Sequence, residues 1–171
     1  MALLEAGELR PMKTKVLFIC LGNICRSPAA EAVFQKMIET EDVSDFVEVD
    51  SCGTSGHHSG ERADARMIQK AFNRDIVVNS ISRQFHKSDF REFDYLIAMD
   101  ESNLENILEK DINNEYTQKV SLLTDYCRGK FKGISRVPDP YYGGDEGFDE
   151  VLDILENGCL NLLKEVLSQK G

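Results

Sequence analysis

Four short runs of apolar and β-branched residues alternate with stretches of helical period along this chain, and few folds accept that order. The first run, Val16-Leu-Phe-Ile-Cys20, is continuous enough to be buried on both faces as a parallel strand. Phe46–Asp50, Asp94–Met99 and Lys119–Leu123 read as the next three strands. Between them, Ser27-Pro28 reads as an N-cap followed by the first helical residue, with Glu31 adding a favourable charge in the first turn. Ala30, Val33, Phe34, Met37 and Ile38 then recur at helical spacing. Asp64 caps a second helix through Phe72, and Asp100 opens another. Residues 51–60 read as a Gly- and Ser-rich loop, 124–147 as a long irregular segment, and 148–170 as a closing helix. Strands alternating with helices predict an α/β fold built on a parallel sheet.

The length, 171 residues, suits one domain over 13–171, with residues 1–12 as an aperiodic tail. Thirty acidic against 20 basic residues leave a net charge of −10, which argues against nucleic acid bound on a broad basic face. An anionic ligand must therefore be drawn by a local site. No apolar run approaches a membrane span, and the first residues lack the basic and apolar regions of a signal peptide. Five cysteines without a C-x-x-C pair fit neither a disulfide framework nor a zinc site, so a cytoplasmic setting is expected, with no metal or cofactor and no membrane partner. Cys52, Cys127 and Cys159 read as packing residues. Six acids (Asp145, Glu146, Asp149, Glu150, Asp153, Glu156) read as the solvated start of the last helix.

The chemistry concentrates in Cys20-Leu-Gly-Asn-Ile-Cys-Arg26-Ser27. Cysteine followed six positions later by arginine is weak alone: 5 Cys and 9 Arg in 171 residues give about 0.26 chance matches. Context strengthens it. A loop from a strand end into a helix start aims backbone N–H groups and the helix dipole at one spot, an anion cradle. Gly22 permits close backbone approach, Asn23 tolerates left-handed geometry, and Arg26 supplies a fork matched to phosphate oxygens. Cys20, at the base of that cradle, reads as a thiolate nucleophile. Far along the chain, Pro138 and Pro140 flank Asp139 and stiffen the backbone around a carboxyl suited to protonating a leaving oxygen.

These segments resemble the low-molecular-weight protein tyrosine phosphatases. The likeness rests on Val16–Phe34, Asp50-Ser51 with Gly53-Thr-Ser-Gly56, Phe93–Asn103, and Pro138-Asp-Pro-Tyr-Tyr-Gly143. It implies a three-layer fold with a four-stranded parallel sheet in the order 2-1-3-4 flanked by helices. It further implies Cys20 as nucleophile, Arg26 as the phosphate-binding arginine and Asp139 as general acid and base. Leu21, Gly22, Asn23, Ile24, Cys25 and Ser27 would form the phosphate loop, and His57, Tyr141 and Tyr142 the pocket walls. His57 stands where many members carry an aromatic wall, and His58 reads as a bystander in the surface loop. Ser51 and Asp100 would support the loop from behind. The expected partners are phosphotyrosine-containing proteins and a phosphate-like anion in the loop, handled through a cysteinyl-phosphate. From its place five positions after Cys20 in a curled loop, Cys25 reads either as a guard that forms a disulfide with Cys20 before overoxidation or as a small packing residue under the loop.

Three other readings stand beside this one. An arsenate reductase on the same fold needs resolving thiols beyond mid-chain, yet residues 53–126 contain no cysteine. A protein-arginine phosphatase carries Thr where this chain has Ile24. A silent phosphotyrosine-binding module would have no need to keep Cys20, Arg26 and Asp139 together.

Overall fold

The computed structural model describes residues 12–170, so apart from Met12 the expected tail lies outside the described residues. The order is β1 (Thr14–Cys20), α1 (Arg26–Thr40), β2 (Val47–Gly53), α2 (Ala65–Phe72), α3 (Asp89–Glu92), β3 (Tyr95–Ala98), α4 (Glu101–Lys110), β4 (Val120–Leu122) and α5 (Asp145–Lys170). Every strand pair is parallel and the sheet order is β2-β1-β3-β4. The alternation of the sequence therefore yields a doubly covered sheet with β1 inside it.

Period-two geometry splits the apolar run of β1 between two cores. Val16, Phe18 and Cys20 face α1, α2 and α5, while Leu17 and Ile19 face Phe90, Phe93, Leu96 and Ile107. Each fully buried side chain of this size contributes about 1.5–3 kcal/mol of transfer free energy. Phe18 also meets Phe34 edge-on, with centroids 5.6 Å apart, which pins α1 to β1 just beyond the loop that joins them.

Several local expectations change. α1 begins at Arg26 with Cys25 as N-cap and no side-chain cap. Ser27 is not the cap, because its hydroxyl is committed to Cys20, Asn23 and Cys52. Glu31 falls outside the first turn and bonds Ser51 instead. β2 runs on to Gly53, taking in three residues read as loop, because Phe18, Ile19 and Cys20 of β1 continue to pair with them. The start of α5 is not simply solvated. Lys70 pairs with Asp149, and Arg74 pairs with Asp149, Asp153 and Glu156, tying α2 and the turn after it to α5. Asp64 caps α2 and Asp100 caps α4 as expected. Cys52, Cys127 and Cys159 are all buried.

Candidate active site

β1 ends at Cys20 and α1 starts at Arg26, so residues 21–25 must reverse over the end of the sheet. Asn23 makes this possible with φ 58°, a left-handed conformation that asparagine tolerates. The loop's carbonyls are drawn outward by neighbouring segments. Thr54 N–H donates to the Cys20 carbonyl (2.9 Å), Ser55 N–H to Leu21 (2.9 Å) and Asp64 N–H to Ile24 (2.8 Å). The Ser82 hydroxyl donates to the Gly22 carbonyl at 3.0 Å. In a planar trans peptide the next N–H points opposite its carbonyl. The N–H groups of residues 21, 22, 23 and 25 are thereby turned inward, toward one anion-sized space.

Cys20 lies at the bottom of that space, 3% exposed. Its Sγ is 3.0 Å from Ser27 Oγ, and Ser27 N–H points at it from 3.5 Å. The sulfur therefore accepts from the Ser27 backbone and shares a hydrogen bond with the Ser27 hydroxyl. Ser27 is held in turn by Asn23, whose amide donates to Ser27 Oγ (2.8 Å) and to Ser51 Oγ (3.0 Å). Ser51 donates to Glu31 Oε1 at 2.6 Å. Burial pushes the Glu31 carboxyl up to about 7, against the lowering effect of that hydrogen bond. Arg83 completes the frame: its N–H donates to Asn23 Oδ1, its carbonyl accepts from Gly53 N–H, and its guanidinium bridges Asp50 and Asp89.

Arg26 is 3% exposed yet charged. Its Nη1 donates to Asp100 Oδ2 (2.6 Å) and to the Val137 carbonyl (3.1 Å), while Nη2 lies 3.6 Å from Asp139 Oδ2. Burial disfavours its charge, but Cys20, Asp100 and Asp139 outweigh burial and hold the guanidinium above its ordinary range. Asp100 performs two tasks at once, since its other oxygen caps α4 through Asn103 N–H. Asp139 stands at the rim with its side chain 39% exposed, and its Oδ1 accepts from Tyr141 N–H.

A cavity of about 260 Å³ opens above Cys20, and Arg26 and Asp139 both reach it. Leu21, Gly22, Ile24, Cys25, His57, Tyr141 and Tyr142 also line it, as expected of the loop and walls. Asn23, Ser27, Ser51 and Asp100 lie behind the lining, bonded as described above. Tyr142 is 91% exposed and meets Tyr141 edge-on at 4.9 Å, so it stands at the mouth and does not pack the loop. Ser55 also lines the cavity, and so does His58, which is therefore not a bystander of the surface loop. The His58 ring lies over Gly22, bonds Glu61 and meets His57 edge-on. Burial first, then Asp64, Cys20 and Asp139, raise the Cys25 thiol far above its ordinary value. Glu31, Arg83 and Gly53 carried no sequence signal of proximity, since their partners Ser51, Asn23 and Arg83 lie 20 to 60 positions away.

Residues 15–171 match the family described as "Low molecular weight phosphotyrosine protein phosphatase". A Synechocystis protein named as a candidate low molecular weight protein-tyrosine-phosphatase is 47% identical over 149 residues, which cover 87% of this chain and 94% of that protein. The human low molecular weight phosphotyrosine protein phosphatase is 40% identical over 156 residues, covering 88% and 94%. A crystal structure of a protein tyrosine phosphatase from Entamoeba histolytica superposes with a TM-score of 0.88 at 44% identity, covering 93% of this chain and all of that one (100%).

Proposed function

The chain belongs to the low molecular weight phosphotyrosine protein phosphatase family, a family of hydrolases, and from that premise we propose the part each residue plays. Cys20 Sγ, as thiolate, attacks phosphorus in line. The bond from phosphorus to the phenolic oxygen breaks, Asp139 gives that oxygen its proton, and a cysteinyl-phosphate remains. Asp139, now a carboxylate, takes a proton from water as the water attacks phosphorus. The S–P bond breaks, releasing phosphate and restoring the thiolate. Arg26 and the inward N–H groups hold the equatorial oxygens in both steps.

The observation that carries this reading is the convergence on one cavity of Cys20, Arg26 and Asp139, with Arg26 Nη2 3.6 Å from the Asp139 carboxyl. Arg26 is fixed from behind by Asp100 and Val137, so its fork is oriented before any phosphate arrives. A nearly covered sulfur at the base of a slot walled by Leu21, Tyr141 and the histidines favours a long aryl phosphate over a short alkyl one. The substrates are then phosphotyrosine-containing proteins met in the cytoplasm. No helix among the described residues is long and apolar enough to cross a membrane.

Turnover of phosphotyrosine, phosphoserine and phosphoarginine peptides, measured side by side in EDTA, tests the proposal. Phosphotyrosine hydrolysis is expected to dominate and to be indifferent to the chelator. Mass spectrometry of acid-quenched enzyme is expected to find phosphate on Cys20. Preferential hydrolysis of phosphoarginine, or an adduct elsewhere, would overturn it.

A further inference from the structure

Arg66 lies outside every motif of the sequence, yet it joins the two loops that must act together. The α2 N-cap Asp64 donates its backbone N–H to the carbonyl of Ile24 in the phosphate loop, at 2.8 Å. Its carboxylate is gripped by the Arg66 fork, Nε to Oδ1 at 3.0 Å and Nη2 to Oδ2 at 2.8 Å. That pairing, chiefly the hydrogen bond from Arg66, holds the Asp64 carboxyl below its ordinary range. Nη2 also donates to the Tyr141 carbonyl at 3.1 Å. The guanidinium lies over the Tyr141 ring (5.6 Å) and the Phe148 ring of α5 (4.7 Å). Tyr141 N–H in turn holds Asp139 Oδ1 at 3.1 Å. A continuous path therefore runs from the Ile24 carbonyl through Asp64, Arg66 and Tyr141 to the Asp139 carboxyl.

Between Pro138 and Gly144, the side chains from other segments that bond this strip among the described residues are Arg26 and Arg66. Arg26 reaches it by a 3.6 Å ion pair, and its fork is needed by the phosphate. Arg66 is bonded to Asp64 and to the strip and lies outside the lining of the cavity, so its fork is not needed by the phosphate. We propose that Arg66 is a positioning residue, a clasp that fixes the general-acid strip against the phosphate loop and so sets the reach of Asp139 to the leaving oxygen. The proposal rests on Asp139 being the acid. A planar fork is required because one guanidinium serves a bidentate carboxylate, a carbonyl and two ring faces together; an ammonium cannot.

The test is leaving-group sensitivity of kcat/KM, which reports the steps up to the phosphoenzyme. Arg66→Ala is expected to lose about tenfold on phenyl phosphate, part of the roughly 10²–10⁴ that a placed acid supplies. On 2,4-dinitrophenyl phosphate, which departs without a proton, it is expected to lose less than about twofold. Arg66→Lys is expected to behave like Arg66→Ala in direction, and inhibition by inorganic phosphate is expected to be unchanged in both. In an Asp139→Ala background, Arg66→Ala is expected to add no further loss on phenyl phosphate. Equal losses on both substrates, full rescue by Lys, or additive losses would overturn the clasp. If Asp139→Ala itself shows no preference between the substrates, the assignment of the acid fails instead. If Asp139→Ala discriminates and Arg66→Ala does not, the clasp alone fails.

Discussion

Glu31 carries a cost that the loop's geometry imposes. Its carboxyl is turned inward to accept from Ser51, with Asp50 adding like charge and Arg83 opposing it, and burial raises it to about 7. A carboxyl raised on folding stabilises the fold in its neutral form. The benefit is complete below its unfolded value of 4.5 and is lost as pH rises through about 7. Glu31→Gln keeps the acceptor and removes the charge. Its melting temperature is therefore expected to exceed wild type at about pH 8 and to match it at about pH 4. A melting curve shifted equally at both would show that ionisation is not the cause. Cys25 shows the same physics with another outcome. Its proton is held chiefly by burial, with the nearby Asp64 adding to the effect. Peroxide is expected to convert the Cys20 thiolate to sulfenic acid. Cys25 then displaces the hydroxyl as water to form a disulfide that thiol reduces. Cys25→Ser is expected to keep its initial activity and fail to recover after peroxide and thiol. Recovery equal to wild type would leave Cys25 a packing residue.

At the level of elements, the loop depends on how closely β2 lets it approach. A Cβ on Gly53 would meet the Leu21 carbonyl oxygen at 2.7 Å and the Ser55 carbonyl oxygen at 3.0 Å, both backbone atoms with little room to yield. Gly53→Ala is expected to cost about 1–3 kcal/mol of stability. It is also expected to lower kcat/KM toward p-nitrophenyl phosphate by at least about tenfold, because the displaced carbonyl belongs to the cradle. Unchanged kinetics would mean the loop tolerates the shift. The turn after α2 is secured differently. Arg74 reaches Asp149, Asp153 and Glu156 from a partly covered position. Arg74→Ala is expected to cost about 1 kcal/mol, or roughly 2–4 °C in a domain of this size, with the loss shrinking in 1 M salt. A salt-independent loss would point to packing of the arginine stem.

For the whole molecule, the two steps place opposed demands on protonation. On the proposed roles, Cys20 attacks as a thiolate and Asp139 protonates as a neutral acid, so kcat/KM is expected to trace a bell in pH with its optimum on the acid side. A profile still rising through about pH 8 would contradict it. The strand–helix order, the parallel sheet, the caps at Asp64 and Asp100 and the two motifs whose Cys20, Arg26 and Asp139 line one cavity were all legible in the chain, because period, turn chemistry and short motifs are local properties. The resemblance supplied the sheet order, which the structure reproduces. Other features were not legible: the commitment of Ser27 to sulfur, the burial of Glu31 against Ser51, the bond from Arg83 N–H to Asn23, and the span of Arg66 between two loops. Each depends on groups 7 to 75 residues apart meeting at a separation of a few ångströms. No local pattern encodes such a meeting, because the chain specifies it through the packing of both faces of β1 and the parallel register of its neighbours.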